Sequence, residues 1–231
     1  MRCTIVIPAY NEGNEIESTL RRIQDSVSLD FECIVVVDSE EDPTKFFVDA
    51  FGRKDSRFKS LVNDYGIGPA YAIRKGILES NSNTIVVTMA DGSDDARDIE
   101  ELVLLVERGV DVACASRYMP TGQQIGAPIL KAVLSRLAGK TLNTFARVGT
   151  RDSTNSFKAY NKEFLKSVEI QAEFGFEMGL ELVSKAHRHG YLVAEIPTIW
   201  IERSTGKSNF KIIKWIPKYL KWYLYAFRIG L

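Results

Sequence analysis

The sequence is poor in the residues that build disulfide frameworks and metal clusters. Its 231 residues include three cysteines and two histidines. Cys3, Cys33 and Cys114 lie in apolar, strand-like runs without the spacing of metal ligands. We expect them to be reduced core residues, which favours a cytoplasmic protein and excludes a disulfide-stapled secreted domain. His187 and His189 come late in a helical pattern and are expected to be helix C-terminal cations, not general bases.

The sequence also lacks a long apolar run and an excess of either charge. It has no stretch of about 18 apolar residues, so no membrane-spanning helix is predicted. Met1 leads into a strand pattern, which predicts no secretion signal. Thirty basic residues balance thirty acidic ones, so no global field favours nucleic acid as a partner. With 45% hydrophobic residues, the chain is long enough for one sizeable core.

Three apolar, β-branched runs each end at polar or acidic residues before a helical segment. The first spans 3–8, the second spans 32–38 and ends at Asp38, and the third reaches Asp91. This alternation predicts an α/β fold with a mostly parallel sheet and helices on both faces. Because the carboxyl ends of parallel strands meet at one edge, the polar residues are expected to line one crevice.

The third run ends in three carboxylates, Asp91, Asp94 and Asp95, with Gly92 letting the backbone turn. Hard oxygen ligands at this position suit a divalent cation bound to a diphosphate. The competing interpretation is that Asp94 or Asp95 only caps a helix that begins near Ala96.

A series of short motifs runs along most of the chain. They read Ile-Pro-Ala-Tyr-Asn-Glu at 7–12, Val-Val-Asp at 36–38, Gly-Pro-Ala-Tyr-Ala-Ile-Arg-Lys-Gly at 68–76, Met-Ala-Asp-Gly-Ser at 89–93, Ala-Ser-Arg-Tyr at 115–118, Asp-Ser-Thr-Asn-Ser-Phe-Lys at 152–158, Glu-Ile-Pro at 195–197 and Arg-Ser-Thr-Gly-Lys-Ser at 203–208. In this order they resemble the family 2 glycosyltransferases of GT-A fold, especially the polyprenyl-phosphate branch typified by dolichol-phosphate mannose synthase. The resemblance implies a Rossmann-like sheet and an inverting transfer of a hexose from a nucleotide diphosphate sugar to a polyprenyl phosphate.

The resemblance assigns binding of the GDP- or UDP-linked donor to residues of four motifs: Pro8, Ala9, Tyr10, Glu12, Asp38, Gly68, Arg74, Ala90 and Asp91. Carboxylates there accept hydrogen bonds from ribose hydroxyls or base N–H groups. Glu12 has an alternative role as a helix-start residue, and Arg74 as a solvated helix arginine.

The resemblance also implies cations for the phosphates. The acceptor phosphate is expected to bind Arg117, Ser135, Arg136, Arg203 and Lys207, and the expected catalytic set is Asp91, Arg117, Arg136 and Arg203. A guanidinium holds phosphate through two parallel hydrogen bonds. The competing account for each cation is ordinary surface charge.

Two positions depart from the family pattern. The family's Asp-x-Asp pair reads Met89, Ala90, Asp91 here, and Asp38 stands alone where two acids are usual. Mg²⁺ or Mn²⁺ needs only one or two protein carboxylates when diphosphate oxygens and water complete its shell. We therefore expect Asp91 to hold the metal, with Asp94 as the replacement ligand.

The acceptor decides whether a general base is needed. A hydroxyl needs one, whereas a phosphate monoester, with a second pKa of about 6, is largely ionised at neutral pH. The chain lacks the Gln-x-x-Arg-Trp signature of processive polysaccharide synthases, which favours the phosphate. A soluble transferase acting on a sugar hydroxyl and a non-catalytic nucleotide-sugar-binding subunit, the latter motivated by Met89, are the alternatives.

The last twenty residues combine an aromatic, apolar face with a cationic stripe. At 3.6 residues per turn, one sector of roughly 100° holds Lys211, Lys214, Lys218, Lys221 and Arg228. This pattern is typical of a helix in a membrane interface. It predicts a catalytic domain at 1–210 and an amphipathic helix at 211–231 that ties the enzyme peripherally to the cytoplasmic membrane face. The alternative is a helix packed on the domain or on a second subunit of a homo-oligomer.

Overall fold

The computed structural model describes residues 1–175, 177–202 and 212–228, without the side chains of 212–215. The strands are β1 (Cys3–Ala9), β2 (Phe31–Val37), β3 (Phe58–Val62), β4 (Thr84–Val87), β5 (Val112–Ser116), β6 (Gln123–Ile125), β7 (Lys158–Asn161), β8 (Val193–Pro197) and β9 (Ile199–Ile201). The α-helices are α1 (Ile16–Ser26), α2 (Pro43–Gly52), α3 (Pro69–Glu79), α4 (Ile99–Glu107), α5 (Ile129–Thr141), α6 (Lys162–Ser167), α7 (Met178–His189) and α8 (Ile212–Ala226).

The main sheet of the described residues has seven strands in the order β3-β2-β1-β4-β7-β5-β8. Neighbouring strands are parallel except β7, which runs antiparallel between β4 and β5. The predicted α/β class with a mostly parallel sheet is therefore confirmed. β6 and β9 form a separate parallel pair. The carboxyl ends of β1, β2, β4 and β5 lie at the same edge of the sheet, as the sequence pattern required.

The sheet is buried on both faces, which explains why its strands are continuously apolar. Ile5 of β1 packs on one side in a cluster with Leu20 of α1 and Leu102 of α4. Its neighbour Val6 packs on the other side with Ile73 of α3 and with α7. Successive side chains of a strand point to opposite faces, so a strand covered by helices on both sides has no polar face.

The cysteines lie in strands and the two histidines in the last turn of α7, as predicted, but burial lowers the pKa of His187, which opposes its predicted positive charge. The three thiols are free and buried, and burial raises the pKa of Cys3 and of Cys114 to about 12. α7 ends at His189, and Gly190 follows in the left-handed region at φ 78°, where glycine is favoured.

The C-terminal helix packs on the catalytic domain through one face. Trp222 and Ala226 are 3% and 2% exposed and belong to the core cluster on the α7 side of the sheet. Lys221 donates a hydrogen bond from Nζ to Oε1 of Gln171 at 3.1 Å, and the ammonium of Lys218 lies over the ring of Phe174. Part of the predicted cationic stripe therefore contacts the segment before α7.

Of the other members of the stripe, Arg228 is exposed. Lys211 and the side chain of Lys214 lie outside the described residues. Ile216 and Leu220 remain exposed on α8. None of the helices in the described part of the chain is long and apolar enough to cross a bilayer.

Candidate active site

A large cavity of about 840 Å³ opens at the carboxyl edge of the sheet. The predicted site residues that line it are Pro8, Ala9, Tyr10, Glu12, Asp38, Gly68, Ala90, Asp91, Arg117 and Ser135. Arg74, Asp94 and Arg136 are described but do not line it. Arg203 and Lys207 lie outside the described residues.

At one end of the cavity, Asp38 joins the end of β2 to the start of α3. Its Oδ2 accepts a hydrogen bond from the backbone N–H of Gly68 at 2.9 Å, and its Oδ1 accepts from Nδ2 of Asn63 at 3.1 Å. Gly68 has φ 111°, a conformation that a Cβ would strain. Pro69, the first residue of α3, has no N–H to donate. The amide that reaches the carboxylate at this helix start is therefore that of Gly68. Asp38 is thereby held in one orientation beside the cavity.

Arg74 faces a different part of the molecule. Its Nη2 donates to the carbonyl of Ala172, and its guanidinium lies 5.5 Å from the centre of the Tyr71 ring. The side chain thus ties α3 to the segment before α7. In this arrangement Arg74 supports the wall of the cavity from outside, and its contact with nucleotide stays a prediction.

Asp91 sits in a short loop that α1 holds from behind. Thr19 donates from Oγ1 to the carbonyl of Ala90 at 2.8 Å. Arg22 donates from Nη2 to the carbonyl of Asp94 at 3.0 Å and from Nη1 to that of Gly92. The Asp91 carboxylate is partly exposed and accepts from the Ser93 N–H at 3.1 Å through Oδ1. The sequence motifs did not identify Thr19 and Arg22 as loop supports.

Asp94 lies beneath this loop. Its Oδ2 accepts from Oγ1 of Thr88 at 2.9 Å and from the N–H of Met89 at 3.2 Å. Burial, followed by the neighbouring charge of Asp91, raises the pKa of Asp94 to about 6, against the opposing effect of these hydrogen bonds. A divalent cation bound between two neighbouring carboxylates offsets the repulsion between their negative charges.

The loop fits a metal that takes most of its ligands from the donor. The described residues contain no group of three or more His, Cys, Asp or Glu side chains that could hold an ion. Met89 lines the cavity where the family pattern has an acid. Asp91 therefore offers one accessible carboxylate, which is enough for Mg²⁺ or Mn²⁺ on a diphosphate. Asp94 as a second ligand stays a prediction. Asp95 is the helix cap, accepting from the Arg97 N–H at 3.1 Å.

Arg117, at the end of β5, is buried and paired with Asp152. Nε donates to Oδ2 at 2.7 Å and Nη2 to Oδ1 at 2.8 Å. Although burial alone opposes ionisation of both groups, the pair holds the pKa of Asp152 below its ordinary value and raises that of Arg117. A cation of fixed orientation thus lines the cavity, and its role as a phosphate ligand stays a prediction.

Ser135 and Arg136 of α5 flank Tyr118. The Tyr118 hydroxyl bonds the Ser135 hydroxyl and donates to Oε1 of Gln124 at 3.0 Å. The guanidinium carbons of Arg117 and Arg136 each lie 5.1 Å from the centre of its ring. Arg136 is exposed and stacks on the outer side of this tyrosine, so its role as a phosphate ligand stays a prediction.

Sequence reasoning missed two parts of the wall. One is polar and comes from Thr154, Asn155, Ser156, Trp200 and Glu202. The motif at 152–158 was a signal for three of these residues. The other part is mostly apolar and comes from α5 and α8: Leu134, Leu137, Ala138, Thr141, Ile216, Tyr219, Leu220 and Tyr223, together with the charged side chain of Lys131. No local pattern reveals it, because the two helices are brought together only by the fold.

Comparison with known proteins agrees with this architecture. The sequence profile of glycosyl transferase family 2 matches residues 4–168. The chain is 31% identical over 213 residues to glycosyltransferase AglD of Haloferax volcanii, covering 89% of this chain and 34% of that protein. It is 28% identical to polyprenol monophosphomannose synthase of Mycolicibacterium smegmatis, covering 93% of this chain and 86% of that one. Undecaprenyl-phosphate mannosyltransferase of Micrococcus luteus is 27% identical, over 90% and 87%.

The fold also matches solved structures. Glucosyl-3-phosphoglycerate synthase from Mycobacterium tuberculosis, in complex with Mn²⁺, UDP and glucosyl-3-phosphoglycerate, superimposes with a TM-score of 0.73 at 17% identity, covering 99% of this chain and 81% of that one. At this identity the likeness concerns the fold. The chain spans about a third of the archaeal relative and most of the two bacterial mannosyltransferases. Because the family profile covers most of the chain, and the sheet, crevice and acidic loop agree with it, the chain belongs to glycosyl transferase family 2 and has its GT-A fold.

Proposed function

We propose that this glycosyltransferase moves a hexose, with inversion, from a nucleotide diphosphate sugar to a polyprenyl phosphate at a membrane surface. The observation that carries the proposal is the two-part cavity. Asp38 and Asp91 lie at its polar end, whereas α5 and α8 supply Leu134, Leu137 and Ile216 at the other. The leucine and isoleucine side chains suit an isoprenoid chain, and the polar side chains that the same two helices add to the wall are Lys131, Ser135, Thr141, Tyr219 and Tyr223. The names of the two bacterial relatives support the same acceptor class.

The polar end suits the donor. Asp38, held by Gly68 and Asn63, retains carboxylate lone pairs for base or ribose donors. Asp91 stands where the diphosphate would lie and would hold Mg²⁺ or Mn²⁺. When bound, the metal neutralises charge that develops on the leaving diphosphate.

The reaction needs positioning more than proton transfer. An oxygen of the acceptor phosphate forms a bond to the anomeric carbon, and the bond from that carbon to the diphosphate oxygen breaks, releasing the nucleoside diphosphate. The attacking phosphate is already ionised at neutral pH, so it needs no general base. Arg117, oriented by Asp152, would align phosphates in the cavity, and Ser135 would add a hydroxyl. Arg136, Arg203 and Lys207 complete the proposed acceptor set.

One observation favours a second candidate, transfer to a hydroxyl. Glu202 lines the cavity, and its Oε2 is buried without a hydrogen-bond partner among the described residues. A carboxylate in such a place is what a hydroxyl acceptor would need as a base. Glu202→Gln separates the two functions, because the amide keeps the size of the side chain but cannot take a proton.

The test uses a panel of labelled GDP- and UDP-sugars with polyprenyl phosphate, the matching polyprenol and a soluble sugar as acceptors. We expect transfer to the lipid phosphate alone, and expect Glu202→Gln to retain it. Transfer to polyprenol or sugar that Glu202→Gln abolishes would establish the second candidate. Calorimetric binding of nucleotide without turnover on any acceptor would favour a non-catalytic subunit.

A further inference from the structure

α5 presents a wide apolar face to solvent. Its exposed fractions are 82% for Ile129, 60% for Leu130, 56% for Val133, 41% for Leu134 and 57% for Leu137. At 100° per residue these five side chains, here named the α5 face, fall within a sector of about 140°. Soluble proteins rarely expose contiguous apolar surface of this extent unless something binds it.

The exposure is built into the fold, because the opposite side of α5 is anchored. Gly139 packs against the backbone of Arg151 so closely that a Cβ would collide with its carbonyl oxygen. Ser135, on the same side of the helix, bonds Tyr118. With its inner side fixed at these points, the helix cannot rotate to bury the α5 face.

The segment that carries the α5 face has charge of one sign. Between Asp111 and Asp152 the sequence contains no acidic residue. The same stretch contains six cations: Arg117, Lys131, Arg136, Lys140, Arg147 and Arg151. Arg136 and Lys140 are exposed, and helical geometry places them at one edge of the face. Apolar side chains edged by cations match the surface of an anionic bilayer.

The α5 face also continues into the cavity. Leu134 and Leu137 belong to both, and α8 contributes the exposed side chains of Ile216 and Leu220 to the same wall. A lipid whose chain stays in a bilayer could therefore place its headgroup in the cavity without exposing the chain to water.

We propose that the α5 face, with the exposed edge of α8, docks the protein on an anionic lipid bilayer. The inference rests on the proposed function for the role of docking, which brings the lipid acceptor to the cavity. In this proposal the α5 face, and not the C-terminal cationic stripe, makes the main contact with the membrane, because Lys218 and Lys221 contact the catalytic domain. A second copy of the chain is a poorer occupant, because two such faces would bring like charges together.

The test compares binding to sedimented vesicles. Vesicles of phosphatidylglycerol and phosphatidylcholine are mixed with wild type, with Ile129→Gln/Leu130→Gln/Val133→Gln, or with the matched control Leu78→Gln/Leu192→Gln. The first three positions do not line the cavity, and the two control leucines are exposed elsewhere. We expect the triple variant to bind at least about tenfold more weakly, and the control to bind like wild type. Unchanged circular dichroism would show that the triple variant is folded.

Vesicle binding by the triple variant equal to that of wild type would overturn the proposal. So would a wild-type dimer that the triple variant converts to a monomer in sedimentation equilibrium, because the occupant would then be a second copy. The assay needs neither donor nor turnover. A protein that docks but transfers nothing to polyprenyl phosphate would therefore contradict the proposed function and leave the docking surface in place.

Discussion

The guanidinium of Arg117 and the carboxylate of Asp152 form a buried, two-point ion pair directly beside the cavity. The N···O distances are 2.7 and 2.8 Å, and the backbone N–H of Arg117 adds a third bond to the same carboxylate at 3.0 Å. The pair therefore fixes both the backbone and the side chain of the cation. A phosphate entering the cavity would meet a charge that needs no reorientation.

The first prediction is that Arg117→Met destabilises the protein by about 3–5 kcal/mol, because it leaves the Asp152 carboxylate buried and unpaired. Arg117→Met/Asp152→Leu should recover most of this loss, since no isolated charge remains. Urea unfolding measures both. Arg97→Ala is the control, because Arg97 is exposed in its pair with Asp95 and should cost less than about 1 kcal/mol. Equal losses in the single and double variants would contradict the pairing.

The second prediction concerns pH. Despite burial, Arg117 holds the pKa of Asp152 below its ordinary value. The pair's contribution to stability is therefore present above the unfolded pKa of about 3.9 and is lost as the pH falls through the lower folded value. Stability measured from about pH 5 downward should fall less steeply below pH 4 in Asp152→Asn than in wild type. Parallel profiles would show that Asp152 is not held ionised.

The third prediction concerns the acidic loop. Asp91→Asn should lower metal-dependent transfer at least about a hundredfold and remove the effect of Mn²⁺ on nucleotide binding in calorimetry. The unfolding midpoint should hardly move, because Asp91 is partly exposed. Asp95→Asn is the control in the same loop, and Asp94→Asn should fall between the two. Full metal-stimulated activity in Asp91→Asn would remove Asp91 from the metal site.

The fourth prediction concerns the packing of α5 against the backbone of Arg151. In an ordinary helix, replacing glycine by alanine stabilises by about 1 kcal/mol. Gly139→Ala should instead destabilise by about 1–3 kcal/mol, because its methyl would meet the backbone oxygen of Arg151. Ala132→Gly, in the same helix, measures the propensity effect alone. A stabilised Gly139→Ala protein would mean that α5 does not pack there.

The fifth prediction concerns α8. Trp222→Ala should cost about 3–5 kcal/mol, because the indole is buried in the core. Leu220→Ala, on the exposed side of the helix, should cost less than about 1 kcal/mol. Removal of 211–231 should accordingly destabilise the catalytic domain as well as weaken vesicle binding. A truncated protein with wild-type stability would make α8 a separate appendage.

Several site residues were predictable because their signals are local. Asp38 and Asp91 each follow a strand within a few residues, so the apolar run that predicts the strand also predicts where the carboxylate lies. The Asp95 cap is equally local. The three cysteines were predictable for the same reason, since each lies inside an apolar run.

The parallel sheet, the helices that follow its strands and the row of polar residues at one edge could be predicted from the sequence, because each depends on neighbours along the chain. Which cations reach the cavity depends on tertiary contacts. Arg117 finds its partner 35 residues away and Arg74 its carbonyl 98 residues away, and the composition of α8 alone could not show that Trp222 is buried while α5 keeps its apolar face in solvent. Contacts between distant segments depend on how the sheet and helices pack, and that information is absent from any single stretch of sequence.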